Sequence, residues 1–288
     1  MHHSVVALEK YKGWTFYASS HSGKVKRLIV FVHGFGGNAI GTWKNFPDSG
    51  EREWWLEADM LFIGYKSRKE NPKGVADRIR RSIGDFFPKP NAAALNTSAG
   101  ALRTDITAEY EELFLVAHSL GGLIVRQALA DAAQKWREDG SPAEKRPPIL
   151  SAQTRMFSPA SAGFQASGAL GAMKAASSVW SALEVFLRRA PAFSDLQPGS
   201  EVLERTRRRT EMYVKEPGCE ALKARIVWAN PDNVVITDRY DTDFVDESID
   251  ETSHTTVCKP RAAELAPKSS KAFEMPWIFI ETGTTEES

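Results

Sequence analysis

Apolar residues along this chain fall into short continuous runs, separated by longer stretches in which they recur every three or four positions. The runs suit strands buried on both faces, and the spaced stretches suit helices with one apolar face. Arg27–Val32, Met60–Tyr65, Leu113–Val116 and Ala224–Ala229 are such runs, and Ile149 to Ala160 is expected to hold another. Before them, Val5 to Ala18 reads as two edge strands turning at Gly13. Between them, Val75, Ile79, Ile83 and Phe86-Phe87 mark one face of a helix, with Arg78, Arg80 and Arg81 on the solvated face. Ala92 to Tyr110, rich in alanine and carrying Leu95, Leu102 and Ile106, is predicted to contain the helix that delivers the chain to the Leu113 run. Leu120, Leu123, Ile124, Gln127, Ala128 and Trp136 keep a helical period after it. This alternation predicts an α/β fold with a mostly parallel sheet flanked by helices.

The rhythm breaks once. Residues 163–212 hold a small-residue helix with Met173, Val179, Trp180, Leu183, Phe186 and Leu187, then Arg188-Arg189 and a turn at Leu196 to Ser200. The expected organisation is therefore a core in two parts, 1–162 and 213–281, a helical cap or insertion at 163–212, and a disordered polar tail at 282–288. A cap that closes over an acyl chain and a packed accessory helix fit the insertion equally. Peripheral membrane contact through Trp180, Phe186 and the basic Arg205 to Arg209 run is a weaker third reading. Trp277–Ile280 is the end of the last helix or a strand.

Composition narrows the classes. With 288 residues, one α/β domain with an insertion is expected rather than two domains. The 37 basic and 37 acidic residues balance and argue against a nucleic-acid partner. No run has the apolar length of a membrane span, and Met1 to Ser4 does not open a signal peptide, so a cytoplasmic protein is expected. Cys219 and Cys258 are expected as reduced thiols.

The chemistry centres on Ala117-His118-Ser119-Leu120-Gly121-Gly122, where a buried strand gives way to a helix. A serine at such a tight turn needs small residues two before and two after it, which Ala117 and Gly121 supply. Its hydroxyl is then lifted from the sheet while the Leu120 amide faces a developing oxyanion. Taken alone, the motif more often marks a helix N-cap, by roughly three to one. Context favours catalysis: strand Arg27–Val32 ends in His33-Gly34-Phe35-Gly36-Gly37, whose Phe35 amide would be the second oxyanion donor. No Gly-Lys-Ser/Thr follows, so that loop is not read as a phosphate cradle. A serine hydroxyl is a weak nucleophile near neutral pH and needs a histidine base oriented by an acid. His33 reads as a structural residue of the glycine loop, and His118 as a supporting residue at most. His254 lies after the serine, as the chain order Ser, acid, His demands.

These three stretches, His33 to Gly37 with Thr42-Trp43, Ala117 to Gly122 and His254 to Pro260, resemble α/β-hydrolase serine esterases of the "serine active site containing" type and the inositol deacylases that trim GPI anchors. The resemblance implies an α/β-hydrolase fold with Ser119 as nucleophile, His254 as general base, and Phe35 and Leu120 as the oxyanion hole. In that family the acid follows a Val-Val pair by a few residues, which points from Val234-Val235 to Asp238. Lipases more broadly place it two residues before such a pair, which points to Asp232. Asp238 is preferred, although Arg239-Tyr240 stand where the family has a serine and a small residue. Asp241-Thr242-Asp243 lacks the glycine and glutamate of a calcium loop.

The resulting expectation is a hydrolase of carboxylic esters, lipid or other acyl esters being its substrates, working through a Ser119-Asp238-His254 triad without a metal or cofactor. Two competing readings stand beside it. One is a non-catalytic effector module in an immune or signalling assembly, with a protein partner that the sequence does not name. The other is an amidase or protease with the same triad.

Overall fold

The computed structural model describes residues 3–21, 24–43, 46, 52–97, 100–103, 107–164, 194–260 and 275–282. Eight strands form one sheet: β1 (His3–Ala7), β2 (Thr15–Ser19), β3 (Arg27–Val32), β4 (Ala58–Ile63), β5 (Glu112–His118), β6 (Gln153–Phe157), β7 (Ala224–Asn230) and β8 (Phe244–Asp250). Their order is β1-β2-β4-β3-β5-β6-β7-β8. Only β2 runs against the rest: it pairs antiparallel with β1 and β4, while every other pairing is parallel. This is the strand order of the α/β-hydrolase fold. The described helices bearing on it are α1 (Glu53–Leu56), α2 (Pro72–Ser82), α3 (Leu120–Glu138), α4 (Glu201–Tyr213) and α5 (Met275–Glu281).

Continuous apolar strands are needed because both sheet faces are covered. In β3, Leu28, Val30 and Val32 face one apolar cluster, and Ile29 and Phe31 face the other. The first cluster is roofed by Val75 and Ile79 of α2, Leu123 and Ile124 of α3 and Leu203 of α4. The second is closed by Trp55 of α1 and by Phe279 and Ile280 of α5. Each such side chain contributes about 1.5–3 kcal/mol on burial. A buried arginine completes the second face: Arg155 on β6 donates to the carbonyl oxygens of Phe279 and Thr282, capping α5 at its C-terminus.

Two expectations meet a different outcome. Between Ala92 and Tyr110 the described residues form one helical turn, Ala92–Leu95, then a two-stranded ribbon pairing Asn96–Thr97 with Gly100–Ala101. The cause is Asp59, buried at the start of β4, which draws this segment to it by accepting from Arg103 and Tyr110, each at 2.5 Å. The acidic segment before His254 contains an edge strand, β8, which bulges between Val245 and Glu247. Asp246, Glu247 and Asp250 interrupt its apolar pattern in the sequence. Residues 201–212, inside the expected insertion, form α4, N-capped by Ser200 and packed on α3. The basic run on α4 is partly paired: Arg207 meets Glu211, Asp238 and Asp241, and Arg209 meets Asp131.

The cap helix expected around Met173 to Arg189 lies outside the described residues, as does the tail beyond Thr282. Phe164 N–H donates to the Leu196 carbonyl at 3.0 Å, which joins the described residues on either side of 165–193. No helix among the described residues is long and apolar enough to cross a membrane. Cys219 and Cys258 are both buried free thiols, and burial pushes the Cys258 thiol up to about 12.

Candidate active site

Ser119 sits between β5 and α3 with φ 53° and ψ −122°, a conformation few non-glycine residues adopt. It is held by bonds on both sides: its N–H donates to the Phe157 carbonyl, and its carbonyl accepts from Gly122 and Ala160. Close approach explains the glycines. A Cβ on Gly121 would lie 2.2 Å from the Val32 oxygen, and one on Gly34 would lie 2.7 Å from the Ser119 Cβ. The glycine loop after β3 therefore passes directly against the serine. Phe35 is the next residue of that loop, half-buried, and Leu120 opens α3, where an N–H has no partner within its own helix.

His254 lies in the turn after β8 and bridges two side chains. Its Nε2 is 2.9 Å from Ser119 Oγ and its Nδ1 is 2.9 Å from an Asp232 carboxylate oxygen. All three are buried, with Ser119 3% exposed and Asp232 and His254 7% each. The residue beside His254 is thus Asp232 and not Asp238. Asp232 follows β7 at the carboxyl edge of the sheet, and its other oxygen accepts from Val234 and Val235 N–H, which fixes the carboxylate toward His254. Asp238 lies further along, its side chain 52% exposed and engaged by Arg207 at 3.1 Å. Burial works to raise the Asp232 carboxyl, yet hydrogen bonds from His254, Ser158 and Val234 N–H hold it below the usual carboxylate range.

His33 and His118 brace this arrangement. His33 Nδ1 lies 2.8 Å from the Gly34 oxygen, its ring stacks on Tyr65 at 4.1 Å, and Tyr65 Oη donates to the His33 carbonyl. Burial lowers the His33 pKa, so the ring stays neutral. His118 points away from Ser119, and its Nε2 reaches the His254 carbonyl at 2.7 Å. That oxygen only accepts, so Nε2 carries a proton. Burial, reinforced by His254, lowers the His118 pKa to about 3. The direct tie between His118 and the His254 backbone had no signature in the sequence, because it joins residues 136 positions apart.

Sequence reasoning also missed a buried pair behind the site. Arg126 of α3 donates to Asp243 at 2.6 Å and to Ser161 at 3.0 Å, with the Tyr240 ring 4.0 Å from its guanidinium. Asp243 further accepts from Ala224 and Tyr240 N–H, which ties the helix after Ser119 to the start of β7. Among the described residues no group of three or more His, Cys, Asp or Glu side chains is placed to hold a metal ion.

No family model matches the chain, and no curated protein matches it. Solved structures do. A membrane phospholipase A, described as a bacterial virulence factor, is 12% identical over 96% of this chain and 86% of its own, with a TM-score of 0.48. A peroxisomal α/β-hydrolase from Saccharomyces cerevisiae is 10% identical over 84% of this chain and 75% of its own, with a TM-score of 0.45. A monoacylglycerol lipase from Paleococcus ferrophilus is 14% identical over 82% of this chain and 89% of its own, with a TM-score of 0.43. The assignment of the fold rests on the strand order and the turn at Ser119.

Proposed function

We propose that this chain is a serine hydrolase of carboxylic esters, with Ser119 as nucleophile, His254 as general base and Asp232 as the orienting acid. One observation carries the reading: a single imidazole lies 2.9 Å from a strained serine hydroxyl on one side and 2.9 Å from a buried carboxylate on the other. Ser119 Oγ attacks the ester carbonyl carbon as its proton passes to His254 Nε2, and the carbonyl oxygen becomes an oxyanion facing the Phe35 and Leu120 amides. Collapse of that adduct breaks the bond to the alcohol, which leaves with the proton from His254. Water, deprotonated by the same ring, then releases the acid and restores Ser119. Asp232 stays anionic throughout and stabilises the imidazolium formed in each step. One oxyanion donor contributes about 3–4 kcal/mol to such a step.

A fluorophosphonate probe tests the reading. It is expected to label the wild-type chain and a Ser151→Ala control but not Ser119→Ala, with ester turnover falling by roughly 10⁴-fold or more in the latter. Equal labelling of the two variants would sink the assignment.

A further inference from the structure

The loop after β4 borders the glycine loop and is strongly basic. Gly36 N–H donates to Ser67 Oγ at 2.9 Å, so this loop lies against the segment that touches Ser119. Lys66, Arg68 and Lys69 flank Ser67, are exposed, and with Gly36, Gly37 and Tyr65 line a cleft of about 420 Å³. An adjoining cleft of about 760 Å³ shares Gly37, Tyr65 and Lys66 and adds Lys12, Arg78 and Glu70. Among the described residues Glu70 is the one carboxylate lining either cleft, and Arg78 engages it at 2.8 Å. Lys66 also acts on Glu70, its N–H donating to the carboxylate and its charge helping to hold the carboxyl below the usual range.

A chain whose 37 basic and 37 acidic residues balance thus gathers exposed cations at the carboxyl edge of its sheet, where open α/β sheets bind ligands. Gly34, against Ser119, and Gly36, against Ser67, are two residues apart, at most about 7.6 Å between Cα atoms. The cleft thus begins two residues along the chain from the glycine that lies against Ser119.

We propose that Lys66, Arg68 and Lys69 form an anion subsite, and that the preferred substrates are esters carrying a carboxylate or phosphate away from the scissile bond. This rests on the ester-hydrolase reading above. The cations act before chemistry: they raise the local concentration of an anionic ester and hold its charged end, so they act on KM and weaken with salt.

Two matched substrate pairs test it and separate the two oxyanions: lysophosphatidic acid against the monoacylglycerol of the same chain, and p-nitrophenyl hydrogen succinate against p-nitrophenyl butyrate. The readout is the ratio of kcat/KM, anionic over neutral, for wild type, a Lys66→Gln/Lys69→Gln double variant and a distant Lys145→Gln control. The wild-type ratio is expected above one in at least one pair, identifying phosphate or carboxylate, and to shrink from about 0.01 M to about 0.5 M salt. In the double variant the ratio is expected to fall about fivefold or more through KM. A wild-type ratio of one or less in both pairs, an unchanged ratio in the double variant, or an equal fall in the control overturns the subsite and leaves only a solvated surface. If wild type hydrolyses no ester, the hydrolase reading has failed separately, and glycerol 3-phosphate and succinate are titrated calorimetrically into wild type and the double variant. Binding of either that is lost in the variant supports the subsite, and no binding to wild type overturns it.

Discussion

At the scale of single residues, the contest between two aspartates is decided by what each carboxylate touches. Asp232 is nearly closed off from water and aimed at His254, while Asp238 is half exposed and paired with Arg207. Asp232→Asn is expected to lower kcat by about 10⁴-fold, since the amide orients the imidazole in the wrong tautomer. Asp238→Asn should stay within about twofold, because a half-exposed ion pair carries little energy. Steady-state kinetics on one ester compares the two, and a larger loss at Asp238 would reverse the assignment. Ser119 was legible because its turn needs small residues at fixed offsets, and His254 because chain order places it. The acid was not, because eight carboxylates lie between Asp232 and Glu251 and spacing alone cannot weigh them. What separates them is that β7 ends just before Asp232, a fact of three-dimensional register.

At the scale of elements, the junction of β3, β5 and α3 is set by close backbone contact. Gly121→Ala puts a methyl group 2.2 Å from the Val32 oxygen, which belongs to a strand and cannot rotate aside. A loss of about 1–3 kcal/mol is expected, with a loss of turnover as Ser119 shifts. Gly74→Ala in α2 is the counterpart: it meets nothing within 4 Å, and a gain of about 0.5–1 kcal/mol is expected from helix propensity. Thermal unfolding of both variants checks the pair, and equal shifts would contradict it. The same contrast explains which elements were readable. Strands buried on both faces announced themselves as apolar runs, and α2 by its spaced valine and isoleucines. The edge strand β8 and the ribbon after Leu95 take their form from distant partners, the first from β7 and the second from the buried Asp59.

At the scale of the whole molecule, the buried histidines couple stability to pH. His118 and His33 are neutral when folded but take up protons near pH 6.5 once unfolded. The unfolded chain then binds more protons below that pH, so stability rises with pH across the window and falls on acidification. For His118 the window runs from 6.5 down to about 3, with a loss of about 2 kcal/mol by pH 5. Asp232, whose folded pKa is depressed, adds a loss of the same sign below about pH 4. Urea midpoints at pH 7.5 and pH 5 should show the fall, and His118→Gln should flatten it; an unchanged slope in that variant would contradict a neutral His118.

The second face of the sheet is sealed by α5, whose Glu281 reaches back 229 residues to Arg52 and also accepts from Trp55. Phe31, Phe62, Phe114 and Phe157 belong to the cluster it closes. A ribosome makes those phenylalanines long before it makes α5, so during synthesis this aromatic surface faces water while the strands beneath it are already able to pair. α5 therefore sets a timetable: until it leaves the exit tunnel, the nascent chain lacks the helix that closes this face of the sheet.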